Sequence, residues 1–165
     1  MNLRAALLAA VCVAAAAPIA SASPVEERTC RGSLGKITVV NLRVPQGATC
    51  TLQGTIVQGK IRVLRNGTLK ASKLRVVGSI QSENHRLVSV RGSQVGDSIQ
   101  LVQGAAATVT GNTVGGDIQL FENRRAQVVR GNRVDGNLQC KENRFRPTGG
   151  RNRVGGTKQD QCRRL

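Results

Sequence analysis

The chain has 165 residues and a formal net charge of +16, from 25 Lys and Arg against 9 Asp and Glu. It contains no Trp, no Tyr and only 2 Phe, whereas a compact globule of this size usually fills its centre with aromatic side chains. This length is that of a single domain, and the scarcity of aromatics argues against a module that reads nucleic-acid sequence by stacking bases.

Residues 1–22 have the pattern of a cleaved secretory signal peptide. Arg4 precedes an apolar and small-residue run from Ala5 to Ala17, and Ala20-Ser21-Ala22 supplies a small-x-small cleavage pattern. The alternative, a membrane-spanning anchor, needs a longer apolar run. We therefore expect a secreted protein, extracellular or periplasmic, whose mature chain begins at Ser23 and has no transmembrane segment.

From residue 57 onward the chain repeats one pattern, V-x-[GD]-x-[IL]. Successive copies are separated by 19 or 20 residues. A period held over this many copies predicts stacked repeats, in which each unit contacts only its neighbours. The copies begin at Val57, Val76, Val95, Val114 and Val134, and a degraded sixth copy begins at Val154.

Two kinds of turn residue recur within each unit. A Gly follows a buried apolar position in most units, and an Asn or Gly recurs later in the unit. Both are expected to supply the positive-φ corners at which the chain turns. The first set is Gly54, Gly92, Gly111 and Gly131, and the second is Asn66, Asn84, Gly104, Asn123 and Asn143.

Between these corners, apolar and polar residues alternate with a period of two, which predicts short strands rather than helices. We therefore predict an all-β fold: a single parallel β-helix (β-solenoid) of about six coils, with 19–20 residues per coil. The β-helix is expected to cover residues 37–162, between an N-terminal cap segment at 23–36 and a tail at 163–165. Six coils at about 4.8 Å each would form a rod of roughly 29 Å.

Polar residues also recur at the repeat spacing. Gln119 would lie over Gln139, and Asn123 over Asn143, so that side-chain amides form ladders along the rod. The expected role of these ladders is structural.

Four cysteines follow the signal peptide, which indicates two disulfides in an exported protein. Cys30 and Cys50 are 20 residues apart, and Cys140 and Cys162 are 22 apart, each about one coil. Residues one coil apart lie within disulfide reach, so we predict the pairs Cys30–Cys50 and Cys140–Cys162, clamping the two ends of the rod. A metal site is disfavoured, because the spacings are not C-x-x-C and the only His, His85, is distant in sequence.

The repeats resemble those of secreted bacterial β-solenoid proteins of uncharacterised function. The matching segments are "GNTVGGDIQ" at 111–119, "GNLQCKEN" at 136–143 and "NRVGGTKQDQC" at 152–162. The chain is more distantly similar to bactofilins, right-handed β-helices that polymerise end to end. The export signal and the cysteines depart from bactofilins, which argues against a cytoskeletal role.

Some parallel β-helices are polysaccharide lyases or hydrolases. Such sites need clustered carboxylates on adjacent coils. Asp97, Asp117 and Asp135 lie near one corner of successive units, but by register they fall in three different columns. Asp117 and Asp135 could still face each other across neighbouring coils. No nucleophile elbow, triad pattern or phosphate loop is found, so we expect no enzyme activity, no cofactor and no metal. A carbohydrate-active β-helix enzyme is the remote alternative.

Two function classes are predicted. The first is a secreted, non-catalytic structural or adhesive module of the cell envelope or extracellular space, more readily monomeric than polymeric. The alternative is a binder of an anionic polymer: envelope polysaccharide, acidic lipid, or nucleic acid without sequence specificity. Residues 124–165 contain 12 Lys and Arg against 3 acidic residues. The guanidinium group of Arg offers paired N–H donors that match carboxylate, phosphate and sulfate groups. The candidate anion-binding residues are Arg124, Arg133, Arg144 and Arg153, with Arg124 expected beneath Arg144 and Arg133 beneath Arg153.

Overall fold

The computed structural model describes residues 26–165. The predicted signal peptide, residues 1–22, lies outside the described residues. Over residues 26–165 all regular elements are β-strands, and they form three parallel sheets, called sheets A, B and C below. The all-β prediction is confirmed.

Sheet A contains eight strands: β1 (Glu27–Thr29), β4 (Asn41–Val44), β7 (Ile61–Val63), β10 (Ile80–Glu83), β13 (Ile99–Val102), β16 (Ile118–Phe121), β19 (Leu138–Lys141) and β22 (Lys158–Asp160). Sheet B contains seven: β2 (Gly32–Leu34), β5 (Thr49–Gln53), β8 (Thr68–Ser72), β11 (Leu87–Arg91), β14 (Ala106–Thr110), β17 (Gln127–Arg130) and β20 (Thr148–Gly150). Sheet C also contains seven: β3 (Thr38–Val39), β6 (Ile56–Val57), β9 (Arg75–Val76), β12 (Gln94–Val95), β15 (Thr113–Val114), β18 (Arg133–Val134) and β21 (Arg153–Val154).

The chain visits sheets A, B and C in that order and then returns to A, so each circuit is one coil of a β-solenoid. Each strand pairs in parallel with the equivalent strands of the coils on either side. The circuit is completed about seven times. Eight strands at about 4.8 Å spacing give sheet A a height of roughly 34 Å.

The structure has one coil more than the six predicted from the repeat. The additional coil precedes Val57: Val39 pairs with Val57, and Leu42 pairs with Ile61. Only three positions separate Val39 from Leu42, whereas four separate Val57 from Ile61. This one-residue deletion shortens the turn between sheets C and A, and it hides the coil from a search for V-x-[GD]-x-[IL].

Much of the segment expected as an N-terminal cap is part of this first coil. Strands β1 and β2 lie inside residues 23–36, and they pair in register with β4 and β5. At the other end, Leu165 packs against the core, so the predicted tail at 163–165 contacts the last coil.

The interior is a set of aliphatic columns, formed because alternate residues of each strand face the axis. In sheet A, Ile80, Ile99 and Ile118 pair directly, and all three are fully buried. Their neighbours Gln81 and Gln100 face outward and are half-buried. Stacking of equivalent side chains explains why Val, Ile and Leu replace aromatic residues here, since each layer must have nearly the same width.

The turn between sheets B and C requires a left-handed backbone in each of six coils. Gly occupies this position four times, with φ between 55° and 67°, as its missing Cβ allows. Lys73 (φ 53°) and Arg151 (φ 57°) take the same conformation in the other two coils. The four glycines are those predicted, Gly54, Gly92, Gly111 and Gly131.

The second predicted set of corner residues is partly wrong. Asn66 and Asn84 do have positive φ, but in the next three coils the left-handed position is taken by Gln103, Glu122 and Glu142. The residues that follow these, Gly104, Asn123 and Asn143, are buried and are not left-handed. The sequence pattern merged two adjacent columns, because Asn is common both at left-handed corners and in buried ladders.

Asparagine ladders run inside two of the turns. In the B–C turn, Asn112 Nδ2 donates to Asn132 Oδ1 at 3.0 Å, and Asn132 Nδ2 donates to Asn152 Oδ1 at 2.9 Å. In the A–B turn, Asn123 Nδ2 donates to Asn143 Oδ1 at 3.0 Å, as predicted. These amides also bind backbone groups of neighbouring coils, which satisfies polar groups that the turns would otherwise bury unpaired.

The predicted glutamine ladder lies outside, on sheet A. Gln119 Nε2 donates to Gln139 Oε1 at 2.8 Å, and Gln139 Nε2 donates to Gln159 Oε1 at 2.8 Å.

Both predicted disulfides are present. Cys30 pairs with Cys50 at a Cα–Cα distance of 5.6 Å, and Cys140 pairs with Cys162 at 5.2 Å. The pairs lie near opposite ends of the solenoid. Disulfides of this kind indicate a non-reducing, extracellular-type environment.

Candidate anion-binding surface

Cationic side chains greatly outnumber carboxylates over residues 26–165. Residues 26–165 contain all 9 Asp and Glu and every Lys and Arg except Arg4. Within this range three ion pairs form: Arg43–Glu27, Arg133–Asp135 and Lys141–Glu142. Most of the described cations therefore have no carboxylate within 4 Å, so the protein neutralises little of its own charge.

Two of the four predicted arginines, Arg124 and Arg144, lie in successive turns between sheets A and B. Their stacked register is confirmed: the Arg124 N–H donates to the Gly104 carbonyl, and the Arg144 N–H makes the equivalent bond one coil further on, to Asn123.

Both guanidinium groups are occupied by neighbouring groups of the protein. Arg124 Nη2 donates to the Gln103 carbonyl at 2.7 Å and to Asn84 Oδ1 at 3.2 Å. The Arg144 guanidinium lies 5.5 Å from the centre of the Phe145 ring, within cation–π range. Glu122 and Glu142 precede these arginines in the same turns, so the turns contain negative as well as positive charge.

The other two predicted arginines, Arg133 and Arg153, lie on sheet C. They pair directly, and both are exposed. Arg133 Nε lies 3.6 Å from Asp135 Oδ1 in an exposed pair, which stabilises little in water. The structure therefore divides the four predicted arginines between two parts of the rod and does not form one site from them.

The carboxylates are segregated around the rod. All strands of sheets B and C, and all turns from B to C, lack Asp and Glu in the described chain. The 9 acidic residues lie instead in sheet A, in the turns on either side of it, or at Glu26. One continuous surface, two sheets wide, is therefore free of negative side chains.

We call this the basic surface: sheets B and C with the turns that join them. Its cations fall into two groups and one isolated residue, Lys36. The N-terminal group is Lys70, Lys73, Arg75 and Arg91, all exposed. The C-terminal group, called the arginine corner below, is Arg130, Arg133, Arg151 and Arg153, also all exposed.

The arginine corner occupies two adjacent coils. Arg130 pairs with Gly150, and Arg133 pairs with Arg153. The Gly131 N–H donates to the Gly150 carbonyl, which brings Arg151 over the turn that contains Gly131. Arg130 and Arg133 thus flank the B–C turn of one coil, and Arg151 and Arg153 lie in and directly after the B–C turn of the next. Gly131 and Gly150 lie in the same region, and the space beside each is open.

The N-terminal group borders a shallow groove of about 300 Å³ on sheet B. Lys70 and Arg91 line it together with hydroxyl residues and two aliphatic residues: Thr51, Ser72, Ser89, Thr108, Ala71 and Leu87. Arg91 Nε donates to Ser89 Oγ, two residues earlier on the same strand, at 3.1 Å. Cations and hydroxyl groups without a carboxylate form a lining suited to oxyanions.

Sequence reasoning missed the basic surface because it counted charge along the chain. The signal was nevertheless present. Assigning each acidic residue to its position within the repeat would have separated the charged columns before any coordinates were known.

The aspartates considered for catalysis have structural contacts. Asp117 Oδ1 accepts a 2.6 Å hydrogen bond from the Asn137 N–H, and the Asp117 N–H donates to Ser98 Oγ. Asp97 accepts a hydrogen bond from the same Ser98 hydroxyl, and Asp135 pairs with Arg133. In the part of the chain that the structure describes, no three His, Cys, Asp or Glu side chains are grouped to hold a metal.

His85 is buried inside the A–B turn, beneath Gly104. Neither ring nitrogen has a hydrogen-bond partner. Burial lowers the pKa of His85 to about 4, and the positive charge of Arg124 acts in the same direction. The backbone of Ala106 acts in the opposite direction but makes no hydrogen bond of ordinary geometry with the ring. Because the pKa of His85 lies well below 7, the ring is neutral at pH 7.

Over residues 26–165, no helix has the length and apolarity needed to span a membrane. Comparisons with protein-family models, with curated proteins and with solved structures find no match to this chain. The resemblance to secreted β-solenoids and to bactofilins stays a prediction.

Proposed function

We propose that the protein is a secreted, non-catalytic adhesive or structural module of the cell envelope or extracellular space. Its support is the architecture: a continuous aliphatic core, ladders in the turns and a disulfide near each end. Such a rod presents the same faces along its whole length, which suits repeated contacts with an extended partner.

The adhesive contact that we favour is electrostatic, with an anionic polymer as the partner. The observation that carries this proposal is the near absence of internal neutralisation: three ion pairs form among the described residues, all on the surface. A polyanion that binds unpaired Lys and Arg releases its counterions, which favours binding without a shaped pocket.

Two further observations support a function without catalysis. Asp117 binds the backbone of the next coil, and Asp135 is paired with an arginine, so neither is an unengaged acid or base. His85 is buried within the turn, away from solvent and from any substrate on the surface.

The test measures binding of the full, disulfide-bonded chain to dextran sulfate, with uncharged dextran as the control. We expect binding to dextran sulfate alone, with an affinity that falls steeply between about 50 and 200 mM salt. Equal binding to both polymers, or an affinity independent of salt, would contradict the electrostatic proposal.

Recovery of the chain only from the cytoplasm of its native cell would contradict the proposed location.

A further inference from the structure

We infer that the basic surface binds a linear anionic polysaccharide that lies along the rod axis, with the arginine corner as its principal contact. This inference rests on the proposed polyanion-binding function and deepens it by naming the face and the class of polymer. It also removes Arg124 and Arg144 from the binding residues expected from the sequence.

The first reason is the sign of the charge on each face. Negative side chains near a cation both neutralise it and repel an approaching polyanion. The A–B turns contain Glu122 and Glu142 beside their arginines. The basic surface has no carboxylate of its own, and Asp135, in the adjacent C–A turn, is the one acid paired with a cation of this surface.

The second reason is the spacing along the axis. Arg75 and Arg133 occupy the same column of sheet C, three coils apart through Gln94 and Thr113. At about 4.8 Å per coil they are separated by roughly 14 Å. The coil between the two cationic groups has only uncharged residues on this surface, from Ala106 to Val114. Charge therefore recurs along one line, as a linear polymer with widely spaced anionic groups requires.

The third reason is the availability of the guanidinium groups. Arg133 and Arg153 are adjacent cations on paired strands, and like charges at that position destabilise the pairing. An oxyanion between them would relieve this repulsion, since Arg offers paired N–H donors that match sulfate and carboxylate. Arg133 makes one exposed ion pair, with Asp135, whereas Arg124 directs its guanidinium to two protein oxygens.

The chemistry of the surface favours polysaccharide over nucleic acid or lipid. The two Phe, Phe121 and Phe145, lie in sheet A and in an A–B turn, so the basic surface has no aromatic platform for bases. A membrane surface usually gains affinity from apolar side chains that enter it. On the basic surface, the exposed large apolar side chains of the described chain are Ile37 and Ile56, in the first two coils, and coils six and seven expose none on sheets B and C.

The experiment compares two quadruple variants with equal charge. One changes the arginine corner: Arg130→Gln, Arg133→Gln, Arg151→Gln and Arg153→Gln. The control removes the same four charges from the A–B turns of the same two coils: Arg124→Gln, Arg125→Gln, Arg144→Gln and Arg146→Gln. Thermal unfolding of both variants checks that the fold is retained. A pair of smaller variants, Arg133→Gln/Arg153→Gln and Arg124→Gln/Arg144→Gln, replaces any quadruple variant that does not fold.

We expect the arginine-corner variant to bind dextran sulfate on the order of ten-fold more weakly, with a shallower salt dependence. The control should stay within about three-fold of wild type, since only diffuse charge is lost. For polygalacturonate, a carboxylated polysaccharide, the three proteins should rank in the same order: wild type and control bind more tightly than the arginine-corner variant.

Three results would overturn this inference while leaving the general proposal intact: equal losses in the two variants, a larger loss in the control, or tighter binding to duplex DNA or to anionic vesicles than to either polysaccharide. If wild type binds no anionic polymer, the proposed function itself fails. The two failures are therefore distinguishable.

Discussion

His85 and Gly104 form one structural unit at the A–B turn. A Cβ added at Gly104 would overlap the imidazole ring, so the glycine in one coil makes room for the histidine of the coil beneath. In the next two coils the same position is taken by Asn123 and Asn143, which form the ladder. The histidine has no such amide partner, so a proton on its ring would be buried without a counter-charge.

The pKa of His85 predicts a loss of stability in mild acid. Its pKa is about 4 in the folded chain and 6.5 as the ordinary value, so the unfolded chain binds more protons between these values. The free energy of unfolding should therefore decrease as the pH falls from about 6.5 to about 4, by up to about 3 kcal/mol, and be insensitive to His85 above that range.

Denaturant unfolding measured from about pH 7 to about pH 4 checks this, with His85→Asn as the variant that cannot titrate. All other titratable groups are common to both chains. The same pH dependence in wild type and in His85→Asn would show that the histidine is not responsible.

Gly104→Ala should destabilise the protein by about 1–3 kcal/mol, because the new methyl group meets the imidazole ring. His85→Ala removes that ring, so Gly104→Ala should lower the free energy of unfolding much less in the His85→Ala variant than in wild type. A double-mutant cycle measured by chemical unfolding gives the coupling between the two positions. Additive effects would mean that the turn relaxes without contact between them.

At the scale of the strand, the alternation of inward and outward residues determines what each position tolerates. Ile99→Asp would bury an unpaired charge between Ile80 and Ile118 and should cost several kcal/mol, about 4 or more. Gln100→Asp, the adjacent outward change, loses one half-exposed hydrogen bond from Gln81 and should cost about 1 kcal/mol. Similar changes in melting temperature for the two variants would contradict the assigned faces.

The columns of the core could be predicted from sequence because a period of 19 or 20 residues fixes both the strand positions and their inward faces. The first coil could not, since the short link between Val39 and Leu42 breaks the pattern without breaking the sheet pairing. The A–B corner was misassigned by one position, because Asn satisfies both a left-handed backbone and a buried ladder. Short-range sequence does not distinguish these two uses.

At the scale of the whole molecule, the two disulfides should act locally. In a stacked repeat each coil contacts its neighbours alone, so a defect at one end need not spread to the other. Cys140→Ser with Cys162→Ser should cost about 3 kcal/mol and increase hydrogen exchange in β19 and β22. The matched variant, Cys30→Ser with Cys50→Ser, should increase exchange in the first coil instead. Uniform loss of protection along the rod in either variant would contradict this local behaviour.

The candidate site could be predicted only in part. The excess of Arg near the C-terminus, and the stacking of Arg133 beneath Arg153, followed from counting and register. The grouping with Arg130 and Arg151 could not be predicted in this way. Those residues lie on sheet B and at the B–C turn, and only the three-dimensional path of the coil brings them near Arg133 and Arg153. Charge segregation is a property of the circuit around the rod, so it emerges at this scale.

Binding of polyanions to the carboxylate-free surface is measured by titrating the isotope-labelled chain with a short sulfated oligosaccharide and following the arginine Nε–Hε resonances. We predict saturable shifts at Arg130, Arg133, Arg151 and Arg153, smaller shifts at Arg91, and little change at Arg124 and Arg144, with all shifts reduced at high salt. Shifts concentrated at Arg124 and Arg144, or spread evenly over every arginine, would contradict binding at the carboxylate-free surface.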